Sequence, residues 1–202
     1  YILMYVEGIR NARRFMSALR SAARIKPIIL LKAGRHEAGS MAASTHSGMA
    51  AVSDSVFDAA VRRAGVVRVS NIGQLFYAAK ALASKFRPQG NRLAIITNGG
   101  GPGAMAADRA GDLGIPLATL SDETMVALNK ILPPNWSHNN PVDIAGDASP
   151  ERYRQTIEMV TADAGVDSTL VMLSPQAMTH PLEVAKAIVE ITDETSRSVI
   201  CC

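Results

Sequence analysis

A chain of 202 residues is long enough for one large or two small domains, and 48% apolar with 19% charged residues is the profile of a soluble globular protein. The net charge of +3 is mild, aromatics are 4%, and basic residues cluster only in 10–24 and at Arg62-Arg63, which argues against a nucleic-acid platform. No apolar run approaches the roughly 20 residues needed to span a bilayer, so a membrane protein is not expected.

The chain opens directly into a strand at 2–6, Ile-Leu-Met-Tyr-Val, and Glu7-Gly8 follows. Ala12, Phe15, Met16, Leu19 and Ala23 fall on one face at helical spacing and predict a helix over 10–24. A second strand is expected at 27–32. From Ala33 to Gly48 the pattern breaks into what reads as a long loop: three glycines and mostly small side chains surround His46. Such a loop is costly in chain entropy. His46 is either incidental on a surface loop or an imidazole presented on a mobile arm, where its neutral form would be a nucleophile for phosphoryl groups.

Helices are predicted at 54–64 and 71–85, on either side of a strand at 66–69, with Asn71 as an N-cap. Lys85-Phe86-Arg87-Pro88-Gln89-Gly90 then interrupts the alternation, and the domain boundary is expected there, giving domains 1–88 and 91–202. A buried strand at 92–97 runs into Asn98-Gly99-Gly100-Gly101-Pro102-Gly103-Ala104 and a helix at 102–113. A glycine-rich turn opening a helix presents unpaired amides and the positive end of the helix dipole, which suit phosphate; tight helix–strand packing explains the same glycines. The turn is not a P-loop, because no Lys-Ser/Thr follows, and a dinucleotide site is poorly supported without a suitably spaced acidic residue.

Further helices are expected at 121–131, 150–163 and 181–194, with Ser121 and Ser149 as N-caps and Pro150 in a first turn. Strands are expected at 168–173 and 197–201. Asn139–Asp147 between them reads as a turn. Alternation of this kind means βαβ units, hence two flavodoxin-like or Rossmann-like doubly wound α/β domains with mostly parallel sheets, the first lacking part of its start. Functional residues in such sheets gather beyond the carboxyl ends of the strands. Cys201 and Cys202 are adjacent and are the only cysteines, so neither a disulfide framework nor a thiolate metal site is expected. No metal ligands are expected elsewhere. Both ends look cut from a longer polypeptide, and without a signal peptide the cytoplasm is the expected location.

Taken in order, Tyr5-Val6-Glu7-Gly8-Ile9, the stretch Lys26–Arg35 and Ser44-Thr45-His46-Ser47-Gly48 resemble consecutive motifs of succinyl-CoA synthetase α subunits. They are closer still to ADP-forming acetate–CoA ligases. Asn98–Asp108 and Asn140–Asp147 resemble the ligase domain of the β subunit, here in the same chain. The resemblance implies a nucleoside-diphosphate-forming acyl-CoA synthetase: acyl-CoA and phosphate give acyl phosphate and CoA, and the phosphoryl group then passes through a histidine to ADP or GDP. On it, His46 is the carrier, transiently phosphorylated, and Glu7 orients its imidazole and stabilises the cation. Gly99, Gly100, Gly101, Gly103 and Ala104 form one of two helix N-termini that hold the phosphohistidine.

The resemblance further implies coenzyme A, ATP or ADP with Mg²⁺ and a small carboxylic acid as what the whole enzyme handles. It implies CoA-binding and ATP-grasp domains as partners in the same polypeptide or complex, without which this fragment is expected to be inactive, and it leaves room for a homo-oligomer. Thr45-His46-Ser47-Gly48 stands where the family commonly has Ser-His-Thr-Gly, which keeps the small hydroxyls. His36, His138 and His180 match no role in that family and are expected to be structural. An alternative comes from Gly8–Arg14 and Lys32–His36, which also resemble Pat-type protein-lysine acetyltransferases, where a ligase-like region serves as a regulatory binding module. Retention of both Glu7 and His46 favours chemistry. A flavin-binding flavodoxin is disfavoured, because no ring-stacking aromatics stand near the strand ends.

Overall fold

The computed structural model describes residues 1–47, 53–83, 88, 90–194 and 197–202. The chain divides into two compact units, Tyr1–Lys85 and Phe86–Cys202. In unit 1, strands β1 (Ile2–Val6), β2 (Ile28–Lys32) and β3 (Val67–Val69) form a parallel sheet in that order. β2 is buried along its whole length because Ile28 and Leu30 face one core and Ile29 and Leu31 face another. Leu19 of α1 (Ala12–Ala23) and Phe57 and Val61 of α3 (Asp54–Arg63) cover the first face. Leu75 and Ala79 of α4 (Ile72–Ala83) cover the second. The strand is therefore continuously apolar, as a parallel strand between two helical layers must be. Asn71 caps α4, its Oδ1 accepting from the Gln74 amide at 2.8 Å.

The intervening segment corrects the sequence reading. The loop expected from Ala33 to Gly48 contains an 11-residue helix, α2 (Glu37–Ser47), and His46 lies in its last turn. Ala38, Ala42 and Ala43 are strong helix formers, and Glu37 sits favourably in the first turn beside the positive end of the helix dipole. Together they outweigh Gly39 and the small hydroxyl residues.

In unit 2 all strand pairings are again parallel, in the order β5 (Val142–Asp143), β4 (Leu93–Thr97), β6 (Ser168–Met172) and β7 (Ser198–Cys201). Helix α5 (Gly100–Asp112) lies on the Ile95–Thr97 face of β4, where Gly103 meets Thr97. The other face, Ala94 and Ile96, shares a core with Leu128 of α6 (Asp122–Ile131), Tyr153 and Ile157 of α7 (Pro150–Ala162), and Val184 and Ile188 of α8 (Pro181–Glu194). Ser121 and Ser149 cap α6 and α7, accepting from the amides of Thr124 and Arg152. Both units are thus doubly wound α/β folds. Among the described residues no helix is long and apolar enough to cross a membrane.

The amino ends of β4 and β6 are tied by a forked pair: Arg92 Nε and Nη2 donate to the two oxygens of Asp167, each at 2.8 Å, and the Arg92 amide donates at 3.0 Å. These donors hold the Asp167 carboxyl well below the usual carboxylate range. A folded-state value below the unfolded one, about 3.9, means the stabilisation is full above that pH and is lost as pH falls through the folded value. Asp167→Asn should therefore lower the melting temperature at neutral pH, and the gap to the parent should narrow below about pH 4. Thermal melts across pH check this; a gap that does not change with pH would remove the carboxylate charge from the account.

Candidate functional site

The carboxyl end of β4 turns sharply through Asn98 and Gly99 into α5. Thr97 and Asn98 are buried, and both side chains are hydrogen-bonded. Thr97 Oγ1 accepts from the Gly99 amide and donates to the Gly99 carbonyl, both at 3.1 Å. Asn98 reaches across to the end of β6, donating to the Ser174 carbonyl at 3.0 Å and accepting from the Ser174 amide at 2.7 Å. Beneath it the buried Tyr153 hydroxyl donates to the Met172 carbonyl at 3.0 Å, and burial pushes this phenol far above its ordinary range.

The glycines divide their duties. A Cβ on Gly103 would stand 2.9 Å from the Thr97 methyl, so helix α5 lies this close to β4 only with glycine there. A Cβ on Gly99 would meet Ser174 Oγ at 3.1 Å, and one on Gly100 would meet Asp143 Oδ2 at 3.1 Å. Gly101 faces open space, and Ala104 is exposed. The Gly103 amide donates to the Gly99 carbonyl at 3.1 Å, whereas the amides of Gly100 and Gly101 belong to the first turn, where no intrahelical acceptor exists. The glycines thus differ: close packing requires Gly103, while Gly100 and Gly101 lie in the first turn of α5. The Asp143 carboxylate borders that turn on one side.

The Asn139–Asp147 stretch is more than a turn. It includes β5 and a cis Asn140–Pro141 peptide bond. Asn140 is buried, and its side chain replaces a missing strand: Oδ1 accepts from the Ile95 amide at 2.9 Å, and Nδ2 donates to the carbonyls of Leu93 at 2.8 Å and Ala118 at 2.9 Å. Asp143 in turn accepts from the Ala145 amide at 3.0 Å.

In unit 1, Val6 and Lys32 are partners in the β1–β2 register, so the residues after them emerge at one edge of the sheet. Glu7, half-buried, follows β1 at that edge, and the Ala33 amide donates to the Val6 carbonyl at 2.9 Å. The His46 side chain and Gly48 lie outside the described residues. Lys32 is buried and donates to the carbonyls of Ala33 at 3.2 Å and Gly34 at 2.9 Å. Burial lowers its pKa; Asp54 works against that shift and Arg68 adds to it.

At the same edge a cleft of about 600 Å³ is lined by Arg35, Asp54, Asp58, Arg62 and Arg68, with the hydroxyls of Ser55 and Ser70. Sequence reading assigned none of these residues a role. Two signals pointed to them: a lysine closing the otherwise apolar Ile28–Leu31 run, and an arginine inside Val67-Arg68-Val69.

Of the other histidines, two contribute main-chain bonds and one a ring contact. The carbonyl of His36 accepts from the Ser40 amide at the start of α2, and that of His180 accepts from the Val184 amide at the start of α8. His138 lies against Trp136, with ring centroids 4.7 Å apart, and shares the Asn129 Oδ1 acceptor with the Trp136 indole. Among the described residues no group of His, Cys, Asp and Glu is arranged to hold a metal ion.

A glycine-opened helix at a strand end of a parallel α/β fold is a position where such folds can bind phosphate. Residues 1–82 match the succinyl-CoA ligase like flavodoxin domain and residues 93–200 match the Ligase-CoA domain, and the chain belongs to this CoA-ligase family. It is 41% identical over its full length to acetate–CoA ligase (ADP-forming) I of Archaeoglobus fulgidus, of which it spans 28%. It is 39% identical over 97% of its length to the α subunit of acetate–CoA ligase (ADP-forming) I of Pyrococcus furiosus, spanning 42% of that subunit. Among solved structures it superposes with a TM-score of 0.90 and 34% identity on acetyl-coenzyme A synthetase 1 of Ca. Korarchaeum cryptofilum, in complex with phosphate and ADP. That match covers 99% of this chain and 44% of the other. The chain thus spans less than half the length of each of these relatives.

Proposed function

We infer that the chain supplies the two ligase domains of a nucleoside-diphosphate-forming acyl-CoA synthetase, the first (1–88) like the α subunit and carrying His46, the second (91–202) like the β subunit. In the whole enzyme, phosphate attacks the acyl-CoA thioester, giving acyl phosphate and free CoA. A neutral His46 nitrogen then takes the phosphoryl group, releasing the carboxylic acid, and hands it to ADP or GDP. Glu7 orients the imidazole and offsets the positive charge it gains on phosphorylation. The amides of Gly100 and Gly101, backed by the α5 dipole, hold the phosphoryl oxygens. Mg²⁺ would neutralise nucleotide phosphates in the ATP-grasp domain, and a CoA-binding domain would complete the acyl site; both domains belong to the same polypeptide or complex.

The supporting observation is the amide turn at Gly100 and Gly101, unfilled by any intrahelical acceptor, in a chain whose halves match the two ligase domains in order. The complete protein, incubated with acyl phosphate or with ATP and Mg²⁺, should gain an acid-labile, base-stable phosphoryl group that maps to His46. No label from either donor would reject the relay and leave a regulatory, ligase-like module as the better account.

Gly101→Ala separates the cradle from mere packing. A methyl there meets no heavy atom within 4 Å, and alanine stabilises a helix over glycine by up to about 1 kcal/mol, so the fold should tolerate or gain from it. Phosphate binding, followed by titration calorimetry, should nevertheless weaken. Unchanged affinity would remove Gly101 from the cradle.

A further inference from the structure

The segment that carries His46 lies between β2, followed by Arg35, and the first turn of α3, and ion pairs join Arg35 to that turn. Arg35 Nε stands 3.9 Å from Asp54 Oδ2. Arg68 Nη2 pairs with Asp54 Oδ1, and its Nη1 donates to Asp58 Oδ1 at 3.0 Å and to the Asp54 carbonyl at 3.3 Å. The Arg68 side chain is only 11% exposed and lies over the Phe57 ring, 5.3 Å from its centroid. The Lys32 ammonium lies over the same ring at 5.6 Å.

Arg68 is held from behind as well. It sits in β3 opposite Leu30 of β2, the fully buried central strand. A guanidinium with this little freedom and two carboxylates in its fork has one orientation. It therefore transmits the position of the sheet to the start of α3, while Arg35 ties the outgoing end of the segment to the same carboxylate. The Arg35–Asp54 pair alone is too exposed to hold much. Arg68 holds the α3 end, through Asp54 and Asp58.

We propose that Arg68, with Asp54 and Arg35, forms a clasp that fixes the root of the His46-bearing segment, making Arg68 a positioning residue for phosphoryl transfer. The proposal rests on the phosphohistidine role of His46, but the clasp itself is testable without it. In the complete protein, Arg68→Met and the nearly isosteric Asp54→Asn are compared with Arg68→Lys and Arg35→Gln. Hydrogen exchange is followed in peptides covering 36–47 and, as a control, in β1 and β2.

Arg68→Met and Asp54→Asn should speed exchange in 36–47 by about tenfold while β1 and β2 keep their protection. The turnover number should fall roughly 10- to 100-fold, the scale of a misplacement near 1 Å, with KM for CoA unchanged. Arg68→Lys keeps the charge without the fork and should recover part of both losses. Arg35→Gln should have the smallest effect. Exchange in 36–47 at the parent rate in both Arg68→Met and Asp54→Asn would overturn the clasp. So would a loss of protection shared equally by β1 and β2, which would make Arg68 a folding residue only. If His46→Ala keeps full turnover, the phosphohistidine role fails by itself, and the exchange result still decides the clasp.

Discussion

His46→Ala should abolish both phosphoryl labelling and ligase turnover in the complete protein while leaving its thermal melt essentially unchanged. The chemical loss is total because no other group in the relay can carry the phosphoryl bond. The fold should survive because position 46 lies in the last turn of α2, and alanine is the better helix former there. Glu7→Gln should slow labelling without ending it, since the amide can still orient the imidazole but cannot balance its charge. The helical form of this segment limits how far the histidine can be carried. Eleven residues span about 16 Å as a helix, less than half their extended length, so His46 moves with α2 or by unwinding it. Full turnover in His46→Ala, measured with acyl-CoA, phosphate and ADP, would end the relay reading.

Asn140→Ala should be the most destabilising single change in unit 2. It removes the acceptor for the Ile95 amide and the donor to two carbonyls, at a buried site. Leaving such groups unsatisfied costs about 3 kcal/mol, or on the order of 10–20 °C in melting temperature for a domain of this size. Asn140→Asp is the informative control: it keeps the oxygen facing Ile95 but sets a carboxylate against the carbonyls of Leu93 and Ala118. It should be at least as harmful as alanine. A melt lowered by less than about 2 °C in either variant would show that the side chain does not stand in for a strand.

What could be read in advance follows from where the information lies. The Ile28–Leu31 run announces a strand buried on both faces, and Asn71, Ser121 and Ser149 announce helix starts, because each signal sits within a few residues of the structure it specifies. Helix α2 was missed because its small residues give no apolar stripe; its helicity comes from alanine content, which periodicity does not detect. β5 is only two residues long, too short to show a strand period inside turn punctuation. Asn140 looked like turn punctuation because its partners lie 22 to 47 residues away in sequence. The Arg68 fork was hidden for the same reason: its charges were visible, but their pairing depends on how β3 and α3 are brought together. Glu7, His46 and the glycines Gly99, Gly100, Gly101 and Gly103 stood out only as an ordered set of motifs. Composition alone gave each an ordinary explanation.

The carboxylate of Asp143 beside Gly100 bears on timing. A bare helix N-terminus attracts any dianion, and strong attraction lengthens the stay of whatever binds, since differences in affinity are mostly differences in departure rate. An anionic side chain at the rim of the amide turn would work against that attraction and shorten the dwell of a bound anion. If the turn receives a phosphoryl group and hands it on, as proposed above, a brief stay is the useful one.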